Sequence, residues 1–162
     1  MIELLSPAGS PEAVIAAVQN GADAVYLGMG DFNARRGAKN FTDEEFEKAV
    51  RYCRIRGCRV YVTLNTLVND REVEGAVRAA GLASDLGADG LIMQDVGLIR
   101  AVRAALPDMP IHASTQMSIH NLAGVECAAE MGITRAVLAR ELNLDEIRFI
   151  TKNASIETEV FC

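Results

Sequence analysis

The chain has 162 residues, half of them hydrophobic, and 16 Lys and Arg against 22 Asp and Glu give it a formal net charge of −6. That is enough length and apolar content for one domain with a packed core, whereas the acidic balance disfavours non-specific binding to nucleic acid or to an anionic membrane. No apolar run reaches the roughly 20 residues that span a bilayer, and Met1-Ile2-Glu3-Leu4-Leu5 lacks the basic start and apolar core of a secretion signal.

In chain order, the pattern predicts a strand over 2–5, then a helix capped by Ser10 with Pro11 in its first turn. A second strand covers 23–27, followed by a polar loop from Gly28 to Phe41. Thr42 and Glu45 read as a capping box for a helix whose inner face is Phe46, Ala49, Val50 and Cys53. A third strand follows at 59–64. Asn69 and Glu72 repeat the capping pattern before a helix ending near Gly87, with Val73, Ala76, Val77 and Ala80 on its buried side. A fourth strand at 89–93 leads to Asp95, a cap for a short helix. Pro107 and Pro110 bracket the turn into a fifth strand at 111–114. A helix over 121–131, a strand at 135–139, a helix capped by Asn143 and Glu146 to about 152, and a strand at 156–161 complete the order.

One phrase recurs through these elements. Gly21-Ala22-Asp23-Ala24-Val25-Tyr26-Leu27-Gly28 returns as Gly87-Ala88-Asp89-Gly90-Leu91-Ile92-Met93-Gln94, and more loosely from Gly57 and from Gly132. Each copy is a glycine closing a helix, a short apolar run and a polar residue. A run that is apolar at nearly every position suits a parallel strand covered on both faces. Seven strands and six helices in alternation therefore predict an α/β fold built as one domain over residues 1–162. The even unit lengths favour a parallel TIM-like (β/α) barrel over a doubly wound open sheet. So does Ser6-Pro7-Ala8-Gly9-Ser10, which is not the dinucleotide fingerprint. A complete eight-stranded barrel takes roughly 250 residues, so the barrel is expected to be incomplete and the chain a piece of a longer product. Open strand edges then predict self-association.

Barrel active sites lie at the C-terminal ends of the strands. The side chains expected at that rim are Asn33, Arg35, Asn65, Gln94, Asp95, Ser114, Gln116, Arg140 and Glu141, with Asn40, Thr115, His120, Glu159 and Cys162 nearby. Amides and guanidinium groups orient planar or anionic ligands and are poor nucleophiles. Asp95 reads equally as a helix cap. Ser114 or Ser118 with His112 or His120 is the one serine–histidine pairing available, and mid-strand His112 reads first as a core residue. There is no HExxH zinc helix. Arg35, Arg36 and Lys39 form a small basic cluster that reads as a solvated loop. The four cysteines show no paired metal spacing, which fits a cytoplasmic protein with reduced thiols.

Several segments together resemble the peptidase U32 family, in its N-terminal barrel region. They are Glu3-Leu4-Leu5-Ser6-Pro7-Ala8-Gly9-Ser10, Ala24-Val25-Tyr26-Leu27-Gly28 with Phe32-Asn33-Ala34-Arg35 and Asn40-Phe41, Val62-Thr63-Leu64-Asn65, His112-Ala113-Ser114-Thr115-Gln116-Met117 and Ala139-Arg140-Glu141-Leu142. Glu159-Val160-Phe161-Cys162 looks like the start of the family signature, cut within it. The resemblance implies a peptidase, including collagenase-like members, acting on a protein or peptide. Alternatively it implies an enzyme or accessory factor for hydroxylating RNA bases or quinone precursors. A third reading is a non-catalytic barrel that binds a small ligand. Some family members hold an iron–sulfur cluster on four cysteines. By the same resemblance Cys162 would be the first ligand of a 4Fe–4S cluster in the longer protein. The chain alone is then expected to carry no cofactor and to be inactive.

Overall fold

The repeated glycine-closed units fold as a computed structural model that describes residues 2–30, 32–34 and 40–162. Arg35, Arg36 and Lys39 lie outside the described residues. The order is β1 (Leu5–Pro7), α1 (Pro11–Gln19), β2 (Ala24–Gly28), α2 (Asp43–Arg54), β3 (Arg59–Leu64), α3 (Val73–Asp85) and β4 (Gly90–Met93). It continues with α4 (Val96–Ala105), β5 (Ile111–Ala113), a single 3₁₀ turn (Thr115–Met117), α5 (Leu122–Glu130), β6 (Arg135–Val137), α6 (Leu144–Asn153) and β7 (Glu157–Glu159). All strand pairings are parallel, and spatial order follows sequence order from β1 to β7. A doubly wound sheet reverses its order at a switch point. This sheet never does, so each crossover adds its strand on the same side and the sheet curls. The result is a half-barrel with a TIM-like fold, in which β1 and β7 each pair on one side only among the described residues.

The outer face holds the main core. Val25, Val60, Val62, Leu64, Leu91, Met93 and Ile111 pack against Phe46, Cys53, Ala80, Leu98, Ile99 and Val102 of the helices. Residues two apart along a strand share a face. The alternate positions form a smaller apolar cluster of Ala24, Tyr61 and Ile92 with Leu5 and Tyr26. Beyond it the inner face turns polar: Thr63 pairs with Ile92, Ile92 with His112, His112 with Arg135, and Arg135 with Glu157.

Ser10, Thr42, Asp95, Asn121 and Asn143 cap their helices through side-chain oxygens, Thr42 and Asn143 with complete capping boxes. Two local expectations need correction. The first strand runs over Leu5–Pro7 rather than 2–5, and Ser6 lies inside it instead of beyond its end. Ile2 and Leu4 are exposed. Pairing begins only where the Leu4 N–H reaches Asp23 Oδ2 at 2.8 Å and its carbonyl accepts from Asp23 and Ala24. Asn69 and Glu72 close a turn before α3 instead of capping it. Asn69 N–H donates to Glu72 Oε2 at 2.9 Å, but Asn69 Oδ1 accepts from Arg71 at 3.0 Å, and the helix starts at Val73 with no side-chain cap.

Gly132, which follows α5, has φ 80°, a left-handed conformation, and a Cβ there would stand 3.1 Å from Arg103 Nε. Arg103 donates to the carbonyls of Pro107, Met109 and Gly132 at 2.7–2.8 Å, tying α4 to the turn before β6. Gly132→Ala is expected to cost about 1–2 kcal/mol for the backbone conformation alone. Urea unfolding monitored by circular dichroism measures it; a midpoint unchanged from wild type would show that the turn relaxes freely.

Candidate functional site

At the C-terminal ends of the strands lies a cavity of about 280 Å³. Ala8 and Gly9 follow β1 into its wall. Tyr26 and Gly28 come from β2, Thr63 and Asn65 from β3 and its end, and Ile92 from β4. Ser114, Thr115 and Gln116 come from the turn after β5, Val137 and Arg140 from β6 and beyond, and Glu159 and Phe161 from β7 and beyond. The long loop after β2 contributes Asn33, Ala34, Asn40 and Phe41.

The amides on one side form a built wall. Asn33 is buried against Gly28, where a Cβ would stand 2.8 Å from its amide group, so Gly28 is small because Asn33 sits there. Asn33 Nδ2 donates to Asn40 Oδ1 at 2.9 Å and to the Gly30 carbonyl at 3.0 Å. Asn40 Nδ2 reaches that same carbonyl at 2.6 Å. Asn65 Oδ1 accepts from the Ala34 N–H at 3.0 Å, which ties the loop to the end of β3. Gln94 does not line the cavity. Its Nε2 donates to the Asn65 carbonyl at 2.9 Å and so holds Asn65 from behind.

Asp95 serves as a cap, accepting from Leu98 at 2.8 Å, and its other oxygen accepts from Val68 at 3.3 Å. Ser114 is buried, and its Oγ accepts from the Gln116 N–H at 3.3 Å. Glu141 is exposed and outside the cavity wall. Arg35 is outside the described residues. The side chains of Gln116 and Arg140 face the cavity with no internal hydrogen bond among the described residues, and the Arg140 guanidinium stands 5.8 Å from the Phe161 ring centre. Both side chains therefore keep their hydrogen-bonding groups available to the cavity.

Beneath the cavity the polar inner face organises around Arg135. It is buried, with Nη1 2.6 Å from Glu3, Nη2 2.6 Å from Glu157 and Nη1 3.5 Å from Glu159. Glu3 also meets Arg59 at 2.7 Å and the Tyr61 hydroxyl at 3.2 Å. His112 lies edge-on to Tyr61 with ring centres 4.6 Å apart. Its Nδ1 has no hydrogen-bond partner, and burial, assisted by Arg135, pushes its pKa down to about 3. His112 is thus a core histidine, but an unsatisfied one. Burial raises the Glu159 carboxyl above its ordinary value, with Arg135 opposing, whereas its hydrogen bonds to Arg135 hold Glu157 below. The sequence reading placed Glu159 near the rim but gave no hint of this buried ionic floor. The available signal was the period-two alternation Arg135, Val137 and Glu157, Glu159, which puts these side chains on the inner face.

No serine–histidine pair forms among the described residues. Ser114 Oγ serves its own turn, and His120 Nδ1 lies 2.9 Å from the Ser118 carbonyl. Burial pushes the Cys53 thiol up to about 12 and raises Cys58 as well, so neither offers a ready thiolate. Cys127 and Cys162 are exposed. Among the described residues no group of three or more His, Cys, Asp or Glu side chains is placed to hold a metal ion. No helix of the described residues is long and apolar enough to cross a membrane.

A sequence model described as peptidase family U32 matches residues 9–162. The chain is 36% identical over 159 residues to tRNA hydroxylation protein P1 of Bacillus subtilis (strain 168), covering 98% of this chain and 38% of the relative. It is 38% identical over 160 residues to the 23S rRNA 5-hydroxycytidine C2501 synthase of Escherichia coli (strain K12), covering 99% of this chain and 24% of the relative. It therefore spans less than two fifths of either curated relative. Among solved structures, that of the U32 peptidase Mk0906 superposes with a TM-score of 0.79 at 19% identity, covering 99% of this chain and 68% of the other, a likeness of fold.

Proposed function

Because the chain belongs to peptidase family U32, whose model spans residues 9–162, we propose that it supplies the barrel portion of a protein that hydroxylates a base in RNA. The observation that carries this reading is the character of the cavity. Asn33, Asn40 and Asn65 make a fixed amide wall, while Gln116 and Arg140 leave their donors free. Amide and guanidinium edges recognise the carbonyl and N–H pattern of a planar ring. A volume of about 280 Å³ lies at the small end of ligand cavities, suited to a single ring rather than to a peptide. Two relatives covering nearly the whole chain carry names of tRNA and rRNA hydroxylation proteins. The net charge of −6 leaves general RNA affinity to other parts of a longer protein.

Peptide hydrolysis, the activity in the family name, is the second reading. It lacks an activated nucleophile among the described residues. Nucleoside mass spectrometry of RNA from cells with and without the full-length gene separates the two, with peptide hydrolysis assayed on the same purified protein. The expected result is loss of one hydroxylated pyrimidine on deletion and no proteolysis. Unchanged RNA together with robust proteolysis would reverse the assignment. In the complementing strain Arg140→Ala is expected to lower the modified fraction by about tenfold or more, the loss of one charge-assisted contact, at wild-type protein levels. A fully modified RNA would remove Arg140 from the site.

A further inference from the structure

Three carboxylates, Glu3, Glu157 and Glu159, converge on two guanidinium groups, Arg59 and Arg135. The short contacts are already taken. Glu3 is 2.6 Å from Arg135 and 2.7 Å from Arg59, and Glu157 is 2.6 Å from Arg135. Glu159 is left with the longest contact, 3.5 Å, although its side chain is only 18% exposed. It is also the carboxyl that lines the cavity; Glu3 and Glu157 do not. Among the described lining residues Glu159 is the one carboxyl and Arg140 the one cation. The other polar groups there are amides and hydroxyls, which hold their protons far more tightly than a carboxylic acid does.

We propose that Glu159 is the proton-exchanging residue of the cavity: its carboxyl hydrogen-bonds an oxygen or nitrogen of a bound planar ring and hands that atom a proton, while Arg135 behind it holds the carboxylate that remains. In that step the carboxyl O–H bond breaks and an O–H or N–H bond forms on the ring. The electron pair of the broken bond stays on Glu159, and the ring that takes the proton gains one positive charge. Two features of the surroundings suit the role. Burial raises the proton affinity of Glu159 above that of an ordinary glutamate, with Arg135 opposing. Arg135 is anchored on two sides by Glu3 and Glu157, so it cannot swing away from the developing charge.

The charged and titratable groups around Glu159 are Arg135 of β6, Glu3 of the N-terminal segment, Glu157 of its own strand, Arg59 and Tyr61 of β3, His112 of β5, Tyr26 of β2 and Arg140 at the rim. Burial keeps His112 neutral, so it adds no charge to the balance at neutral pH. The proposal deepens the base-recognition reading and rests on it only for the identity of the ligand.

The test is a carbon-13 NMR titration of the glutamate carboxyls of this chain, assigned through the backbone, with Glu159→Gln as a check. Glu159 is expected to titrate above every other glutamate, and that signal to be missing from the variant. Glu159 titrating within or below the range of the others would overturn the proposal. Calorimetry with uridine as the probe follows, at the pH of half-protonation and in two buffers of different ionisation enthalpy. Binding to the wild type with a buffer-dependent heat that Glu159→Gln lacks supports the assignment. Uridine binding equally to both with no buffer dependence overturns it and leaves the base reading intact. No uridine binding to either protein removes the base reading and, with no ring bound to receive the proton, the transfer with it.

Discussion

Replacing His112 with leucine is expected to leave stability at pH 7 within about 1.5 kcal/mol of the wild type and to abolish a steep loss of stability in mild acid. The Nδ1 of His112 has no partner, so removing it sacrifices no hydrogen bond there, and the edge-on contact with Tyr61 is the main loss. The larger effect is protonic. His112 is 3% exposed, and its pKa falls from 6.5 to about 3 in the folded chain. Between those values the unfolded chain binds a proton that the folded chain does not, so stability falls as pH decreases through that window. At pH 4.5 the protonated unfolded state gains about 2–3 kcal/mol on the native state from this one group, at 1.36 kcal/mol per pH unit. Urea unfolding of wild type and His112→Leu between pH 7 and pH 4.5 measures the gap, which should swing toward the variant by that amount. Parallel pH dependences would mean that the imidazole finds a proton-accepting partner or water in the folded state.

Arg135→Met is expected to destabilise the fold by about 3–5 kcal/mol, the cost of leaving partly buried carboxylates without their cation. The Arg135 side chain is 8% exposed, and it reaches Glu3, Glu157 and Glu159 at once. The sign of the pH effect follows from Glu157, whose folded pKa is lowered by its hydrogen bonds to Arg135. That contribution is present above the ordinary glutamate range and is lost as pH falls through the folded value, so the gap between wild type and variant should narrow in acid. Adding Glu159→Gln to Arg135→Met should recover part of the loss, because among the described residues Glu159 has its ion pair with Arg135 alone and is stranded without it. Chemical denaturation of the single and double variants tests both statements. A single variant as stable as wild type would mean that water enters the floor and screens the carboxylates.

The β/α alternation was legible because each unit writes its own punctuation. Gly21, Gly57, Gly87 and Gly132 close helices in left-handed conformations, and the runs after them are apolar toward the helices and, around Ala24, Tyr61 and Ile92, on the inner face as well. Helix starts were legible wherever the cap is local, as at Thr42–Glu45 and Asn143–Glu146. The first strand was misplaced because Ile2 and Leu4 look like strand residues, yet pairing with β2 begins only where Asp23 catches Leu4. At the site, Asn33, Asn65, Ser114, Gln116 and Arg140 come together around the cavity, since polar residues that end strands point into it. Gln94 follows the same rule yet is consumed in holding Asn65, a partner 29 residues away, whereas Asp95 caps α4 through Leu98 three residues on, the local role its position also allowed. The floor was hidden for a stronger form of that reason. Arg135 and Glu3 are 132 residues apart, and nothing local marks either as half of an ion pair.

The claim on which the functional account stands is that the cavity between Asn65, Gln116 and Arg140 receives a single planar ring. Amide-resolved NMR of this chain titrated with uridine, cytidine and a short peptide tests it most directly. The account predicts saturable shifts with a pyrimidine nucleoside, confined to Gly9, Ala34, Asn65, Thr115, Gln116, Arg140 and Phe161, and none there with the peptide. Shifts with the peptide at those residues, and none with either nucleoside, would contradict it.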